Sequence, residues 1–331
     1  MPEFWSAGGA LATLLQPLAA LHGGVGTLRR SLASPWHAPL PVLCVGNLVA
    51  GGAGKTPIAL SLATLLAGQG RRPHIVTRGY GGRLRGPTAV EPARHAASEV
   101  GDEALLLAAA APCWIARDRI AGVRRAHAAG ADLVLLDDGF QNPSLAKDLS
   151  LVVVDGGYGF GNARLMPAGP LRETVADGLG RATALVLIGE DRHGIAARLP
   201  PGLPVLHARL TPRDATDLVG RRVLAFAGIG RPTKFYASLT ELGAEIVERR
   251  DFPDHHPYRE SELRRLLAAA QAQAAIPVTT AKDWVRLPAA LRDAVRVLDI
   301  AVEWREETEL LGLLRRFGLV PGGNGRDHGR G

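Results

Sequence analysis

The stretch VGNLVAGGAGKTP, residues 45–57, decides how the sequence around it is interpreted. Its GGAGKT core ends in Lys55 and Thr56 and fits a P-loop, in which backbone N–H groups, a lysine and a hydroxyl surround phosphate. The strict pattern G-x-x-x-x-G-K-[ST] requires glycine where Val49 stands. The apolar residues before the loop predict a strand, and residues 57–68 predict a helix. A strand, a glycine loop and a helix in this order predict a nucleotide site.

Short apolar runs alternate with helical segments on both sides of this loop. Strands are predicted at 41–46, 74–77, 132–137, 149–155 and 184–188, with helices at 102–111 and 118–129. After a stretch richer in Pro, Arg and Asp, a second series follows, with strands at 222–227, 244–249, 277–283 and 295–304 and helices at 233–242 and 260–275. Apolar strands separated by helices predict a mostly parallel sheet covered on both faces. We therefore predict an α/β fold: a P-loop NTPase-type three-layer α/β/α core domain and a smaller α/β/α second domain.

The predicted division of the chain has four parts. They are an N-terminal amphipathic membrane-interface helix at 1–35, a P-loop domain at 36–217, a smaller α/β domain at 218–320 and a disordered tail at 321–331. In the first part, apolar residues recur at helical spacing and two arginines follow them: Phe4, Leu11, Leu14, Leu15, Leu18, Leu21, Arg29 and Arg30. Such a helix lies either on anionic lipid or on the domain itself, and Pro17 could split it.

Composition narrows the class of protein. Hydrophobic residues make up 47% of the chain and charged residues 21%, which predicts a sizeable core. The longest plainly apolar run, 104–115, is too short to span a bilayer. The net charge of +7 favours an anionic partner: a phosphorylated substrate, an acidic membrane surface or nucleic acid. Cys44 and Cys113 lack zinc-site spacing, so we predict buried free thiols.

An acidic pair follows one of the predicted strands. The run DLVLLDD places Asp137 and Asp138 at the carboxyl end of strand 132–137. A P-loop site needs an acidic residue at the end of a neighbouring strand, which holds Mg²⁺ directly or through water. Together with the Thr56 hydroxyl, the pair predicts a site for a nucleoside triphosphate and Mg²⁺. The alternative is that the two carboxylates only cap a helix.

Two further polar clusters are candidates for the group that handles the phosphate acceptor. The GDE sequence places Asp102 and Glu103 before a predicted helix, which they would also cap. The sequence DFPDHHPY, 251–258, places His255 just after a predicted strand, although surface histidines are the alternative. Because a kinase needs an acid or base near the acceptor hydroxyl, we expect one of these clusters to supply it.

Seven motifs between residues 45 and 283 resemble those of one known family in sequence and in order, and the resemblance extends over about residues 4–305. They are VGNLVAGGAGKTP (45–57), TRGYGG (77–82), GDE (101–103), LDDGFQN (136–142), DGGYGFGNARLMPAGPLRE (155–173), FPDHHPY (252–258) and TTAKD (279–283). This set resembles the tetraacyldisaccharide 4′-kinase family, whose members phosphorylate the lipid A precursor. The loop of that family also lacks the first glycine, which accounts for Val49.

The resemblance implies a reaction, a place and partners. The ATP γ-phosphate would move to the 4′-hydroxyl of a membrane-embedded tetraacyldisaccharide 1-phosphate, forming lipid IVA in lipid A biosynthesis. The enzyme would be a peripheral protein at the cytoplasmic face of the bacterial inner membrane, held there by its N-terminal helix and by anionic inner-leaflet lipids. The two domains, joined by a β-strand linker, would close around the nucleotide. We expect a monomer with ATP and Mg²⁺ as cofactors and no nucleic acid as partner.

Residue roles follow from the motifs that match. The nucleotide site would comprise Ala50, Gly51, Gly52, Ala53, Gly54, Lys55, Thr56 and Pro57. Thr56, Asp138, Asp137 and Glu103 would form the metal site, and Lys55, Asp102 and His255 would be catalytic, with Asp102 as the family's proposed base and His255 as its partner. Arg78, Arg119 and Arg172 are further candidates for phosphate contacts, and the alternative for each is a solvated surface arginine.

Two other classes of protein remain as alternatives. A P-loop GTPase or ATPase switch, or a metallochaperone, would share the predicted sheet, but the sequence contains no NKxD motif for guanine. A nucleic-acid-dependent ATPase would need a basic stripe with stacking aromatics, and aromatic residues are 5% of the chain.

Overall fold

The computed structural model describes residues 2–321, so the predicted tail lies, apart from Pro321, outside the described residues. Within this range the strands are β1 (Val42–Gly46), β2 (Pro73–Thr77), β3 (Thr88–Ala89), β4 (Cys113–Ile115), β5 (Leu133–Asp137), β6 (Leu149–Asp155), β7 (Ala184–Ile188), β8 (Val205–Arg213), β9 (Arg222–Ala227), β10 (Glu245–Asp251), β11 (Ile276–Thr280) and β12 (Arg296–Trp304). They form one sheet in the order β10-β9-β11-β12-β8-β7-β6-β1-β5-β2-β4-β3.

The helices flank this sheet or precede it. They are α1 (Phe4–Ala7), α2 (Ala10–Leu14), α3 (Gln16–Ser31), α4 (Lys55–Gly68), α5 (Ala97–Val100), α6 (Asp102–Leu107), α7 (Arg119–Ala128), α8 (Val175–Leu179), α9 (Pro232–Glu241), α10 (Glu260–Ala272), α11 (Ala281–Trp284) and α12 (Glu307–Arg316). The predicted α/β class and the three-layer arrangement are therefore what the structure shows.

We call the part of the chain that carries β1–β8 the first domain, and its central strands are apolar on both faces. Every residue of β1 is buried, and successive side chains alternate between two hydrophobic clusters. Leu43 and Val45 contact the cluster that contains α4 and α6, whereas Val42 and Cys44 contact the cluster that contains α7. Seven neighbouring strands pair in parallel, in the order β8-β7-β6-β1-β5-β2-β4. Their carboxyl ends therefore lie along one edge of the sheet.

The part of the chain that carries β9–β12, which we call the second domain, repeats this arrangement on a smaller scale. Strands β10, β9, β11 and β12 are parallel, with α9 packed on one face and α10 on the other. The junction between the two sets of strands is the antiparallel pair β8–β12. Helix α12 then packs Leu310 and Leu314 into a cluster of the first domain, and Trp304 Nε1 donates to Ser61 Oγ at 2.9 Å. The chain therefore returns to the first domain at its end.

The N-terminal part differs from a single amphipathic helix, since it is divided into α1, α2 and α3. Gly8 and Gly9, with φ of 77° and 108°, separate the first two helices. Pro17 does not kink α3, because it occupies the first turn, where its missing N–H is not needed. Trp5 Nε1 donates to Pro167 O at 3.0 Å and fixes this part to the first domain.

One face of α2 and α3 carries a row of exposed apolar side chains, each at least half exposed: Leu11, Leu14, Leu18, Leu21, Val25 and Leu28, with Leu32 just beyond. We call this row the N-terminal apolar stripe. Its spacing of three or four residues places it on one side of the helix. Within residues 2–321, no helix has the length and apolar character to cross a membrane.

Candidate active site

The glycine loop lies between β1 and α4, at the carboxyl edge of the parallel strands of the first domain. Gly51 and Gly54 have φ of 108° and 86°, a region that favours glycine. A Cβ at Gly54 would also lie 2.5 Å from Ile188 Cδ1, so a larger residue would have to displace that side chain. Because α4 begins at Lys55, the loop amides and the positive end of the helix dipole face the same space. This geometry suits a bound phosphate.

Lys55 is fixed between the loop and the end of β5. Its Nζ lies 3.1 Å from Asn47 Oδ1 and 3.5 Å from Asp138 Oδ1. Asn47 is fully buried, and its Nδ2 donates to Val49 O at 2.7 Å, which ties the lysine to the loop backbone. Sequence reasoning did not single out Asn47, although it follows the last residue of the predicted strand.

Asp137 ends β5 and is almost fully buried. Its Oδ2 accepts a hydrogen bond from Thr77 Oγ1 at 3.0 Å, whereas its Oδ1 is buried without a hydrogen-bond partner. Burial first, and then the negative charges of Glu103 and Asp138, raise the pKa of Asp137 to about 7. A cation beside this carboxylate would offset both effects.

Asp138 has the opposite electrostatic character. Burial raises its pKa, but the charges of Lys55 and Arg172 outweigh burial and hold the pKa below its ordinary value. Arg172 Nη1 lies 2.8 Å from Asp138 Oδ1, and the Arg172 backbone N–H donates to Leu48 O at 2.8 Å. The motif that contains Arg172 therefore lies against the glycine loop. Asp138 also has a φ of 50°, which is uncommon outside glycine.

The side chains around these two aspartates fit Mg²⁺ that is bound together with a nucleotide. Across the part of the chain that the structure describes, no three His, Cys, Asp or Glu side chains are arranged to hold a metal by themselves. Mg²⁺ is commonly bound by one or two carboxylates together with substrate phosphates and water. The unpartnered Asp137 Oδ1, the Asp138 carboxylate and Thr56 in the first turn of α4 fit that mode of binding.

A second constellation forms where the two domains meet. Asp102 begins α6 in the first domain, and His255 follows β10 in the second. His255 Nδ1 lies 2.9 Å from Asp102 Oδ2, with the Asp102 side chain 2% exposed and the His255 side chain 31% exposed. Burial raises the pKa of Asp102, but the hydrogen bond from His255 and the charges of Lys282 and Arg286 outweigh it and lower the pKa. His255 has a φ of 61°, so its backbone is also held in the left-handed region.

Two basic residues of the second domain extend this contact. Lys282 Nζ lies 3.5 Å from Glu103 Oε1, which gives the lysine of the TTAKD motif a partner in the first domain. Arg286 Nε lies 3.3 Å from Asp102 Oδ2. Sequence reasoning missed Arg286, since nothing in the local pattern distinguishes it from the many other arginines of the chain.

The three arginines expected to contact phosphate occupy different positions. Arg172 lies at the glycine loop, as described above. Arg119 begins α7, is buried, donates to Ala116 O and has an Nε without a partner. Burial outweighs the nearby charges of Asp137 and Asp138 and lowers the pKa of Arg119. Arg78 is exposed at the end of β2. The structure thus brings Arg172 and Arg119 to the acidic pair and leaves Arg78 at the surface.

Comparison with known proteins adds independent findings. The family model described as tetraacyldisaccharide-1-P 4′-kinase matches residues 11–317. A protein named tetraacyldisaccharide 4′-kinase from Rhodospirillum centenum is 60% identical over 321 residues, which cover 95% of each chain. Another of that name, from Gluconacetobacter diazotrophicus, is 56% identical over 308 residues, covering 92% of this chain and 94% of the relative.

A solved structure has the same fold over nearly the whole chain. The structure of LpxK from Aquifex aeolicus in complex with ATP matches with a TM-score of 0.77 and 28% identity, covering 93% of this chain and 99% of that one. The fold is therefore shared over most of both chains. The chain belongs to the tetraacyldisaccharide-1-phosphate 4′-kinase family.

Proposed function

We propose that this chain transfers the γ-phosphate of ATP to the 4′-hydroxyl of a tetraacylated glucosamine disaccharide 1-phosphate. The observation that supports the proposal is that the first domain carries both a phosphate site and an aspartate that contacts a histidine of the second domain. The glycine loop with Lys55 and the acidic pair Asp137 and Asp138 lies in one domain, and Asp102 of that domain contacts His255 of the other at 2.9 Å. A phosphate site beside a buried carboxylate–imidazole pair suits transfer to a hydroxyl.

The nucleotide would be held by the loop amides and Lys55, which surround the β- and γ-phosphates. The Thr56 hydroxyl and Asp138 would hold Mg²⁺, with Asp137 and Glu103 close to it. When bound, Mg²⁺ supplies charge neutralisation at the phosphate oxygens. Arg172 and Arg119 add fixed positive charge beside the same space, and Arg78 is available from the surface. The rest of the site has to position the acceptor and take up its proton.

We assign the proton acceptor to the Asp102–His255 pair, with Asp102 as the base and His255 as its partner. As the 4′-oxygen attacks, a bond forms between that oxygen and the γ-phosphorus, the bond from the γ-phosphorus to the bridging oxygen of ADP breaks, and the hydroxyl proton passes to the pair. An isolated aspartate is a weak base for a sugar hydroxyl, so we expect the imidazole of His255 to orient the carboxylate and to share the proton. The contact with His255 keeps the Asp102 carboxylate oriented.

Domain closure would assemble this pair. Besides Asp102 and His255, the domains are joined by Asp155 at the end of β6, whose Oδ2 lies 2.6 Å from Arg231 Nη1 and 2.5 Å from Lys234 Nζ. Both contacts require the second domain to lie against the carboxyl edge of the parallel strands of the first domain. Separation of the domains would break the catalytic pair, while closure brings it together and excludes water.

The N-terminal apolar stripe would hold the enzyme on the membrane that contains its substrate. A helix docked on its own domain buries its apolar face, whereas Leu14, Leu18 and Leu21 are 76%, 58% and 66% exposed. This exposure favours an interfacial helix over a docked one. Arg29, close to the stripe, and the net charge of +7 would favour anionic lipid at the cytoplasmic face of the inner membrane.

The central test is mass spectrometry of the lipid product. Tetraacyldisaccharide 1-phosphate is incubated with the purified protein, Mg²⁺ and ATP in mixed micelles, and we expect a gain of one phosphate at the 4′ position. Lys55→Ala should abolish the gain, because it removes the cation at the β- and γ-phosphates. ATP hydrolysis without lipid phosphorylation, or preference for GTP, would instead support a P-loop switch and overturn the proposed reaction.

The stripe predicts the strength of membrane binding. A triple variant with Leu18, Leu21 and Leu28 changed to Ser should bind vesicles of phosphatidylethanolamine and phosphatidylglycerol at least about tenfold more weakly, since it removes apolar area that would enter the lipid. The matched control changes the exposed polar residues Gln16, His22 and Thr27 to Ser. Equal sedimentation of both variants with vesicles would show that the stripe does not contact the membrane.

The acidic pair predicts opposite stability effects for neighbouring substitutions. Asp137 has a pKa of about 7 in the folded protein and an ordinary value of 3.8, so its ionisation costs stability as pH rises through about 4 to 7. Without nucleotide or Mg²⁺ at about pH 8, Asp137→Asn should therefore raise the melting temperature by several degrees, and the gain should shrink at about pH 5. Asp138→Asn should lower it, because that carboxylate is stabilised by Lys55 and Arg172.

Differential scanning fluorimetry of the two variants at both pH values measures these effects. A lower melting temperature for Asp137→Asn at about pH 8 would contradict the electrostatic account of this carboxylate. Both variants should lose kinase activity.

A further inference from the structure

Arg286 is a buried cation that belongs wholly to the second domain. It follows α11, and its side chain is 5% exposed. Its two terminal nitrogens donate to Gly228 O at 3.1 and 3.2 Å, and its Nε donates to Lys282 O at 3.0 Å. Backbone carbonyls on two different segments therefore fix the plane of the guanidinium.

The fully buried carboxylate of Asp283 contacts this arginine within the second domain. Asp283 Oδ1 lies 3.4 Å from Arg286 Nη2, and Asp283 also accepts hydrogen bonds from Gly228 N, Tyr258 and Thr280, at 2.8, 2.8 and 2.6 Å. All of these groups lie in the second domain, so the charge of Arg286 is compensated and oriented there before any contact with the first domain. Gly228 has no room for a side chain, since a Cβ would lie 2.9 Å from Pro253 O.

The same carbonyl connects Arg286 to the catalytic pair. Gly228 O accepts the backbone N–H of His255 at 3.1 Å as well as the two bonds from Arg286. Across the domain boundary, Arg286 Nε lies 3.3 Å from Asp102 Oδ2, the oxygen that lies 2.9 Å from His255 Nδ1. Gly228 O of the second domain therefore binds both Arg286 and His255. The side chains of these two residues in turn contact the same atom of the first domain, Asp102 Oδ2.

We propose that Arg286 is a positioning residue for phosphoryl transfer. It holds the loop that carries His255 through Gly228, and its charge draws the Asp102 carboxylate to the same place when the domains close. Arg286 acts on the acceptor side of the site and touches neither the glycine loop nor the acidic pair. This inference rests on the proposed kinase reaction and assigns to it a residue that acts through Asp102 and His255.

The kinetic consequence is a loss of turnover without a loss of nucleotide binding. Arg286→Gln should lower kcat by about 30-fold or more, while KM for ATP stays within about twofold, since only the acceptor side is disturbed. Arg286→Lys keeps the charge but not the paired bonds to Gly228 O, and its kcat should fall between those of the wild type and Arg286→Gln. Free guanidinium ions added to Arg286→Gln should restore part of kcat.

The matched control is Arg292→Gln. Arg292 lies in the same region, stacks over Trp284, and donates to Val285 O at 2.8 Å and Leu287 O at 3.0 Å, but its contacts do not include the catalytic pair. This variant should keep kcat within about threefold and gain nothing from guanidinium, even where its melting temperature falls as much as that of Arg286→Gln.

The outcomes separate the possible failures. Equal losses of kcat in Arg286→Gln and Arg292→Gln, in step with their melting temperatures, would show a merely structural role and overturn the inference. A raised KM for ATP with unchanged kcat would also overturn it. Should Arg286→Gln not fold, a wild-type kcat in Arg286→Lys would contradict the proposal by itself. Absence of lipid phosphorylation in the wild-type chain would instead contradict the proposed function.

Discussion

The hydrogen bond between His255 Nδ1 and Asp102 Oδ2, at 2.9 Å, is the contact on which the rest of the site depends. The two residues belong to different domains. The contact therefore exists only when the carboxyl edge of the parallel strands of the first domain faces the second domain. Local backbone geometry prepares each side: Gly101, with a φ of 89°, precedes Asp102, and His255 has a φ of 61°. Glycine permits the positive φ before Asp102, whereas His255 has an uncommon backbone conformation that the surrounding structure stabilises.

The parallel sheet explains why the glycine loop and the acidic pair lie together. Strands β1 and β5 are neighbours, so the glycine loop and the acidic pair leave the sheet side by side. Carboxyl ends of parallel strands are the usual place for ligands in such folds. The two aspartates differ in their electrostatic surroundings. Asp138 has the positive charges of Lys55 and Arg172 beside it, whereas Asp137 is buried with one oxygen that has no hydrogen-bond partner. A phosphate-bound cation would complete this arrangement.

Much of the fold could be predicted from the sequence because the buried strands are apolar and short. The α/β class is confirmed, and β1, β5 and β6 fall within a residue or two of the predicted limits. Strand β8 was not predicted, because its burial is partial and its sequence carries Pro and Arg. The return of α12 to the first domain also could not be predicted, since periodicity shows an apolar face without showing which core it contacts.

The candidate site was predictable only where a residue belongs to a local motif. Lys55, Asp138 and Asp102 have roles in such motifs, whereas Arg286 is placed by a contact between segments distant in sequence. Asn47 lies inside the glycine-loop motif, but the P-loop pattern assigns no role to its position. A double-mutant cycle of Asp102→Asn and His255→Gln on kcat tests the central claim most directly. If the two residues act as one pair, the double variant should be no slower than the slower single variant. Losses that multiply in the double variant would show that the two residues act independently, and would contradict the account.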